Sequence, residues 1–148
     1  MNKTYINILF ALALIFFSIN IYANELENKN RYKLSILSIG EGPSLVDAFG
    51  HTAIRVKDAE LKNDVVFNFG IYDFKLGIQN YNNLTQNYIR QKRYIVEHKL
   101  NLDQNSIKII IDLLVEKLND PYYIYDYFRN NCTTRAADIV IDLSLIHI

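Results

Sequence analysis

The 148-residue chain contains one cysteine, two prolines, five glycines and no tryptophan, and its formal net charge is zero. A single cysteine excludes an intramolecular disulfide framework and any zinc site built from several thiolates. Sixteen basic residues are balanced by sixteen acidic ones, so the composition predicts no nucleic-acid binding. The length supports one domain of ordinary size. The residues that could carry chemistry are therefore few, and Cys132 is the only thiol among them.

The amino-terminal segment, residues 1–23, is predicted to be a secretory signal peptide. It starts with the basic Lys3, continues with an uninterrupted apolar run from Ile8 to Phe17 and ends at the small residue Ala23. An uncleaved membrane anchor is the alternative interpretation. The apolar run is shorter than the ~20 residues that a membrane span needs, which favours cleavage after Ala23.

Two further segments are predicted to lie outside the folded domain. Residues 24–31 are polar and charged, which is typical of a linker. Residues 143–148 match the peptide that a sequencing-library adapter encodes. We therefore interpret them as a non-native tail on a truncated chain and give His147 no chemical role. The remaining residues, 32–142, form the predicted domain.

Hydrophobic periodicity predicts an α+β domain, with a small antiparallel sheet and two or three packed helices. Alternation of apolar and polar residues predicts four strands, over residues 32–39, 51–56, 64–69 and 93–100. Apolar residues at spacings of three and four predict a helix over 102–118, with Asn101 as its N-cap and Gln104 in capping-box position.

The other segments have weaker patterns. Residues 72–91 favour a loop with a short helix, and residues 122–128 are predicted to be a strand or an extended segment. A second helix is predicted from Cys132 to Leu143. The tyrosines of the 122–128 run, Tyr125 among them, are most simply core and sheet-surface residues. Alternatively, they could line a groove for an acyl chain.

Cys132 is the first candidate for chemistry, because it lies in a polar turn at the predicted start of a helix. The positive end of the helix dipole favours a thiolate at this position. Arg129 and Arg135, which flank the cysteine, would act in the same direction. An inert buried cysteine is the alternative.

A thiolate nucleophile needs a base, and histidine is the usual one. Apart from His147, the chain offers His51 and His98. His51 follows Gly50 at the predicted start of a strand, a position that can hold the ring rigidly. His98 lies mid-strand among charged residues, where a solvated role is expected. The pattern therefore favours a pair formed by Cys132 and His51.

The imidazole also needs an acceptor that orients it. Asn68 becomes a cross-strand neighbour of His51 if the 51–56 and 64–69 strands form a hairpin, and Asp73 and Asp47 are alternatives. Backbone N–H groups at the start of the Cys132 helix are candidates for an oxyanion hole. The two histidines and the cysteine lack the spacing of metal ligands, so no metal or other cofactor is predicted.

Three motifs, in this order along the chain, resemble the Lnb N-terminal periplasmic domain family, and the resemblance spans residues 32–142. The motifs are residues 49–56 (FGHTAIRV), residues 66–70 (VFNFG) with Asp73-Phe74, and residues 125–128 (YDYF) with 131–135 (NCTTR). The resemblance implies an exported thiol acyltransferase with a permuted papain-like order, histidine before cysteine. Cys132 would be the nucleophile, His51 the base and Asn68 the orienting residue. Other motif residues are given supporting or substrate-binding roles: Asn131, Arg135, Tyr125 and Asp73.

The resemblance also implies partners and a location. Such proteins N-acylate the N-terminal cysteine of lipoproteins with an acyl chain taken from phospholipid. The expected partners are a phospholipid donor, a lipoprotein N-terminus and the inner-membrane surface. The expected location is periplasmic, with a tether to the inner membrane in the full-length protein. A cell-envelope cysteine peptidase or amidase and a non-catalytic envelope domain are the alternatives.

Overall fold

The structure, a computed structural model, describes residues 12–18, 31–44, 47–71 and 75–146. The chain forms two compact units, Met1–Arg31 and Tyr32–Ile148. In the first unit, residues 12–18 are helical (α1) and exposed. Among the described residues, no helix combines the length and the apolar character needed to cross a membrane. Most of the predicted signal peptide and linker, as well as residues 147–148, lie outside the described residues.

The second unit is an α+β domain built on one five-stranded antiparallel sheet, which confirms the predicted fold class. The order across the sheet is β4-β3-β2-β1-β5. The strands are β1 (Tyr32–Ile39), β2 (His51–Asp58), β3 (Asn63–Ile71), β4 (Lys75–Asn80) and β5 (Ile95–Lys99). The helices are α2 (Tyr81–Arg90), α3 (Gln104–Asn119) and α4 (Cys132–Ile146).

Alternation along the central strands gives the sheet two apolar faces. On β2, Ile54 and Val56 belong to the larger core, which α3 and α4 cover, whereas Ala53 belongs to the smaller core under α2. The helices cover these faces with apolar stripes, such as Ile110 on α3 and Leu84 on α2. In the register of the sheet Ala53 pairs with Asn68, so odd-numbered residues of β2 and even-numbered residues of β3, such as Val66, face α2, and the others face α3 and α4.

Two local predictions need correction. The segment predicted as a loop with a short helix does contain a helix, α2, but residues 75–80 form strand β4, in which only Leu76 is fully buried because β4 is an edge strand. This exposure explains why its sequence lacks a clear alternation. The N-cap of α3 is Asp103 rather than Asn101, since the Asp103 side chain accepts the N–H of Ser106.

Gln104 has a different role from the predicted capping box. Its side chain accepts the N–H of Tyr32 at 2.7 Å and donates to the carbonyl of Tyr32 at 3.0 Å. These two hydrogen bonds join the start of α3 to the start of β1. Residues 122–128 form no strand; they make isolated bridges, one of them between Tyr122 and Lys75.

A buried arginine holds the loop that leads into β2. Arg93 is 6% exposed, and its side chain donates to the carbonyl of Gly40 at 2.8 Å and pairs with Asp47 at 2.7 Å. Its guanidinium also lies over the ring of Tyr88. A hydrogen bond from Ser44 and the nearby Arg93 charge lower the pKa of Asp47, despite its partial burial. This network fixes the loop that delivers His51 to its position.

Candidate active site

Cys132 is the first residue of α4, which packs across β2 and β3. The thiol residue is 8% exposed and belongs to the larger core. Asn131 caps the N-terminus of the helix, because its side-chain oxygen accepts hydrogen bonds from the N–H groups of Thr133 at 2.9 Å and Thr134 at 3.1 Å. Its Nδ2 donates to the carbonyl of Tyr127 at 2.9 Å. Asn131 therefore fixes both the helix start and the preceding aromatic segment, residues 122–128.

The capping by Asn131 bears on the oxyanion hole that the sequence predicts at the start of this helix. The N–H groups of Thr133 and Thr134 were candidates for an oxyanion hole, but both already donate to Asn131. They are therefore not free to bind a developing oxyanion in this conformation.

His51 is the first residue of β2, at the end of the sheet that the start of α4 reaches. The preceding Gly50 has a φ of 72°, in the left-handed region that favours glycine. A β-carbon at Gly50 would also lie 2.6 Å from the carbonyl oxygen of Ile39. Only glycine fits this turn, and the turn places the imidazole beside the helix start.

Asn68 lies diagonally across the hairpin from His51, since Ala53 is its direct partner in the register. Its side chain is fully buried, and its Oδ1 lies 3.1 Å from His51 Nε2. Its Nδ2 donates to the carbonyl of Val66 and to the side chain of Gln79, each at 3.3 Å. These two acceptors fix the amide orientation, so Oδ1 accepts a hydrogen bond from the Nε2–H group.

This hydrogen bond determines the histidine tautomer. When Nε2 carries the proton shared with Asn68, the neutral ring leaves Nδ1 as the basic nitrogen. Nδ1 is then the atom available to the Cys132 thiol. The geometry brings together three residues that the sequence predicts as one site: Cys132, His51 and Asn68.

The environment of Cys132 lowers its thiol pKa from the ordinary 9.0 to about 7. Burial alone would raise this pKa. Hydrogen bonding to His51, the charge of His51, the backbone N–H of Thr52 and the hydroxyl of Thr133 together outweigh the effect of burial. Neither flanking arginine is among these main causes, so the imidazole takes the role that the sequence assigned partly to Arg129 and Arg135.

A hydroxyl pair joins the two elements that carry the thiol and the imidazole. Thr52 Oγ1 lies 2.9 Å from Thr133 Oγ1, and the Cys132 sulfur lies 4.0 Å from the same Thr133 oxygen. Sequence reasoning missed Thr52, Thr133 and Gln79. Thr52 and Thr133 adjoin His51 and Cys132 in the chain, which is a signal that could have identified them. Gln79 lies in the unpredicted strand β4 and has no such signal.

The aromatic segment before α4 forms one side of the site. The rings of Tyr125 and Tyr127 pack edge to face at 5.2 Å, and Tyr127 lies 6.0 Å from the ring of Phe49. Gly70, with a φ of 85°, allows the close approach of Tyr125, because a β-carbon there would lie 2.9 Å from Tyr125 Cε2. Burial raises the pKa of Tyr125, and so does the charge of Cys132.

The other candidates lie apart from the site or outside the described residues. Asp73 is not among the described residues, so its role stays a prediction. Asp47 binds Arg93 and Ser44. His98 is exposed on the edge strand β5. Within the described ranges, no cluster of three His, Cys, Asp or Glu side chains is arranged to hold a metal.

The fold and the site together define a class: an α+β protein in which a helix-start cysteine, a strand-start histidine and a buried asparagine meet at one end of an antiparallel sheet. Within that class, the chain belongs to the Lnb N-terminal periplasmic domain family, whose model matches residues 23–144. Comparisons with curated proteins and with solved structures found no match. The family identifies the protein as an envelope-associated, periplasmic domain.

Proposed function

We propose that the protein is a thiol acyltransferase that takes an acyl chain from a phospholipid and transfers it to the N-terminal amine of a lipoprotein. One observation carries this proposal: the Cys132 thiol, with its pKa lowered to about 7, lies beside a histidine that Asn68 orients. A thiol with this pKa is about half ionised at neutral pH. Membership of a periplasmic domain family supports an envelope substrate.

In the first half-reaction, the Cys132 thiolate attacks the carbonyl carbon of a phospholipid ester. His51 receives the thiol proton before or during this attack. The tetrahedral intermediate then expels the glycerol oxygen, which takes the proton from the imidazolium and leaves as a lysophospholipid. The product on the protein is an acyl-thioester on Cys132.

In the second half-reaction, the lipoprotein amine attacks the thioester carbonyl. His51 accepts the amine proton, and the thiolate leaves as the amide bond forms. Asn68 keeps Nε2 protonated in both half-reactions, so that Nδ1 remains the nitrogen that exchanges protons.

Exposed apolar side chains next to the site favour a lipid donor. Phe49, two residues before His51, is 76% exposed, and Phe128, four residues before Cys132, is 87% exposed. Ile124 in the same segment is 88% exposed. Several large apolar side chains exposed close to one site are typical of a surface that contacts a lipid or another apolar ligand. A tether to the inner membrane in a full-length chain would keep these side chains close to phospholipid.

The test uses purified protein, phospholipid vesicles and a diacylglyceryl-cysteine peptide as acceptor. Intact-mass spectrometry should detect an acyl adduct on Cys132 with vesicles alone, and the adduct should disappear as N-acylated peptide forms. Cys132→Ser and His51→Ala should abolish the adduct, whereas His98→Ala, the matched control on β5, should form it normally. Release of free fatty acid without any acylated peptide would indicate a hydrolase and contradict the proposal.

A further inference from the structure

A cavity of about 120 Å³ lies beside the site, and none of the reacting groups lines it. Its inner wall includes Phe69, Leu76 and Tyr123, and its charged lining consists of Lys117, Asp120 and Arg135. The volume is enough for several water molecules or one phosphate-sized group.

Two buried donors on the cavity wall lack partners. Arg135 Nε and the Tyr123 hydroxyl are both inaccessible to solvent, and neither has a hydrogen-bond partner among the described residues. The Arg135 guanidinium lies 4.7 Å from the Tyr123 ring centroid, so the two side chains are held together. Burial raises the pKa of Tyr123, so its hydroxyl stays protonated at neutral pH and can donate. Buried donors of this kind normally find an acceptor, and both residues line the cavity, which has room for one.

The charges of the lining favour an anion. Arg135 and Lys117 are cationic, and within the described part of the chain neither forms an ion pair. Asp120 is the one anionic group of the lining, and it is exposed to water, which screens its charge. The charges of Arg135 and Lys117, together with the Tyr123 hydroxyl donor, therefore outweigh it. Arginine is also the side chain best suited to bind two oxygens of a phosphate at once.

The position of the cavity relates this anion site to the thiol. Cys132 and Arg135 are three residues apart in α4, so they are neighbours on one face of the helix, with ~5–6 Å between their β-carbons. Burial is the main cause of the raised pKa of Tyr123, followed by the charges of Tyr125 and Cys132. In a glycerophospholipid, a short glycerol linker separates the phosphate from the acyl ester, a span comparable to this one helical turn.

We propose that the cavity between Arg135, Lys117 and Tyr123 binds the phosphodiester group of the acyl donor and so places the donor's ester at Cys132. This inference rests on the proposed acyltransferase function and adds the subsite that recognises the donor headgroup. The phosphate would accept hydrogen bonds from Arg135 and from the Tyr123 hydroxyl, with Lys117 contributing charge. The site therefore distinguishes phospholipids from neutral acylglycerols.

The binding test measures dissociation constants of glycerophosphoethanolamine and of inorganic phosphate by calorimetry or NMR titration. The phosphodiester should bind wild type, and Arg135→Gln should weaken that binding ~10-fold or more, since a hydrogen bond to a charged group is lost. Lys117→Gln should weaken it ~3-fold, and Asp120→Asn should strengthen it by a similar factor. Thermal unfolding of each variant shows whether it remains folded.

Two binding results would overturn the proposal. If inorganic phosphate binds but the phosphodiester does not, the cavity is a free-phosphate site and not a headgroup subsite. If neither binds, or if Lys117→Gln and Asp120→Asn leave the phosphodiester affinity unchanged, the cavity does not recognise phosphate. The Lys117 and Asp120 variants keep this test valid even if Arg135→Gln fails to fold.

A second measurement separates this inference from the proposed function. The rate of acyl-thioester formation is compared for a phospholipid and for a diacylglycerol with the same acyl chains. Arg135→Gln should lower the rate with phospholipid ~10-fold more than it lowers the rate with diacylglycerol. Equal losses with both donors would overturn the headgroup subsite and leave the acyltransferase proposal intact. No thioester from either donor would contradict the proposed function, while the binding test would still decide what the cavity binds.

Discussion

Replacing His51 with alanine should raise the pKa of the Cys132 thiol and slow its reaction at neutral pH. Hydrogen bonding and charge from His51 are the main causes that lower this pKa from 9.0 to about 7. The lowering corresponds to about 3 kcal/mol of preference for the thiolate. In His51→Ala the burial of Cys132 remains, and burial raises the pKa. We therefore expect a pKa of about 9 or above in the variant.

The size of the effect on reactivity follows from two opposing factors. At pH 7 the thiolate fraction falls from about one half to about 1%, a loss of ~50-fold. A thiolate of higher pKa is intrinsically more nucleophilic, and over two pKa units this raises the rate of the thiolate ~8-fold. His51→Ala should therefore react about 6-fold more slowly at pH 7. Above about pH 9 it should react faster than wild type, because both thiols are then largely ionised.

The assay follows release of thiopyridone from dithiodipyridine over a range of pH. This reagent is small and neutral, as an 8% exposed thiol requires. Wild type should show a midpoint near pH 7, and the exposed control His98→Ala should keep it. A midpoint that stays near pH 7 in His51→Ala, with the protein still folded, would refute the assignment of His51 as the group that activates the thiol.

Three further predictions concern the groups that support the site. Asn68→Ala should lower the rate of thioester formation ~10-fold or more and shift its pH profile, because the His51 ring loses its acceptor; an unchanged pH profile would contradict this role. Gly70→Ala should destabilise the fold by ~1–2 kcal/mol in urea unfolding, since its φ is 85° and the new methyl group would meet Tyr125; a stability equal to wild type would show that this contact is not tight. Arg93→Met should lower the free energy of unfolding at pH 7 by ~1–3 kcal/mol, because it removes hydrogen bonds to Asp47 and to a backbone carbonyl. The lowered pKa of Asp47 adds stability above its unfolded pKa, and this stability is lost as the pH falls through its folded pKa. Unfolding in the acidic range where Asp47 titrates should therefore be less pH-dependent in the variant, and an equal dependence would rule out the ion pair as a cause.

The elements that the sequence predicted well are those with one buried and one exposed face. β1, β2 and β3 alternate, and α3 and α4 carry apolar stripes, so local periodicity was enough to find them. β4 was missed because, as an edge strand, it buries only Leu76 completely. The cap of α3 was misplaced because Gln104 binds the backbone of Tyr32, 72 residues earlier in the chain. No local pattern contains such a partner.

The sequence alone determined which groups could act. With one cysteine and two plausible histidines, it limited the chemistry to Cys132 with His51 or His98, and its three ordered motifs indicated the family. The tertiary structure decided which histidine meets the thiol, through the packing of α4 on the end of β2, 81 residues away in the chain. It also decided the tautomer of His51, because Gln79 and Val66 orient the Asn68 amide. The cavity beside Arg135 exists only where α3, α4 and the aromatic segment meet. Such sites depend on distances between remote residues, which packing sets and periodicity along the chain does not contain.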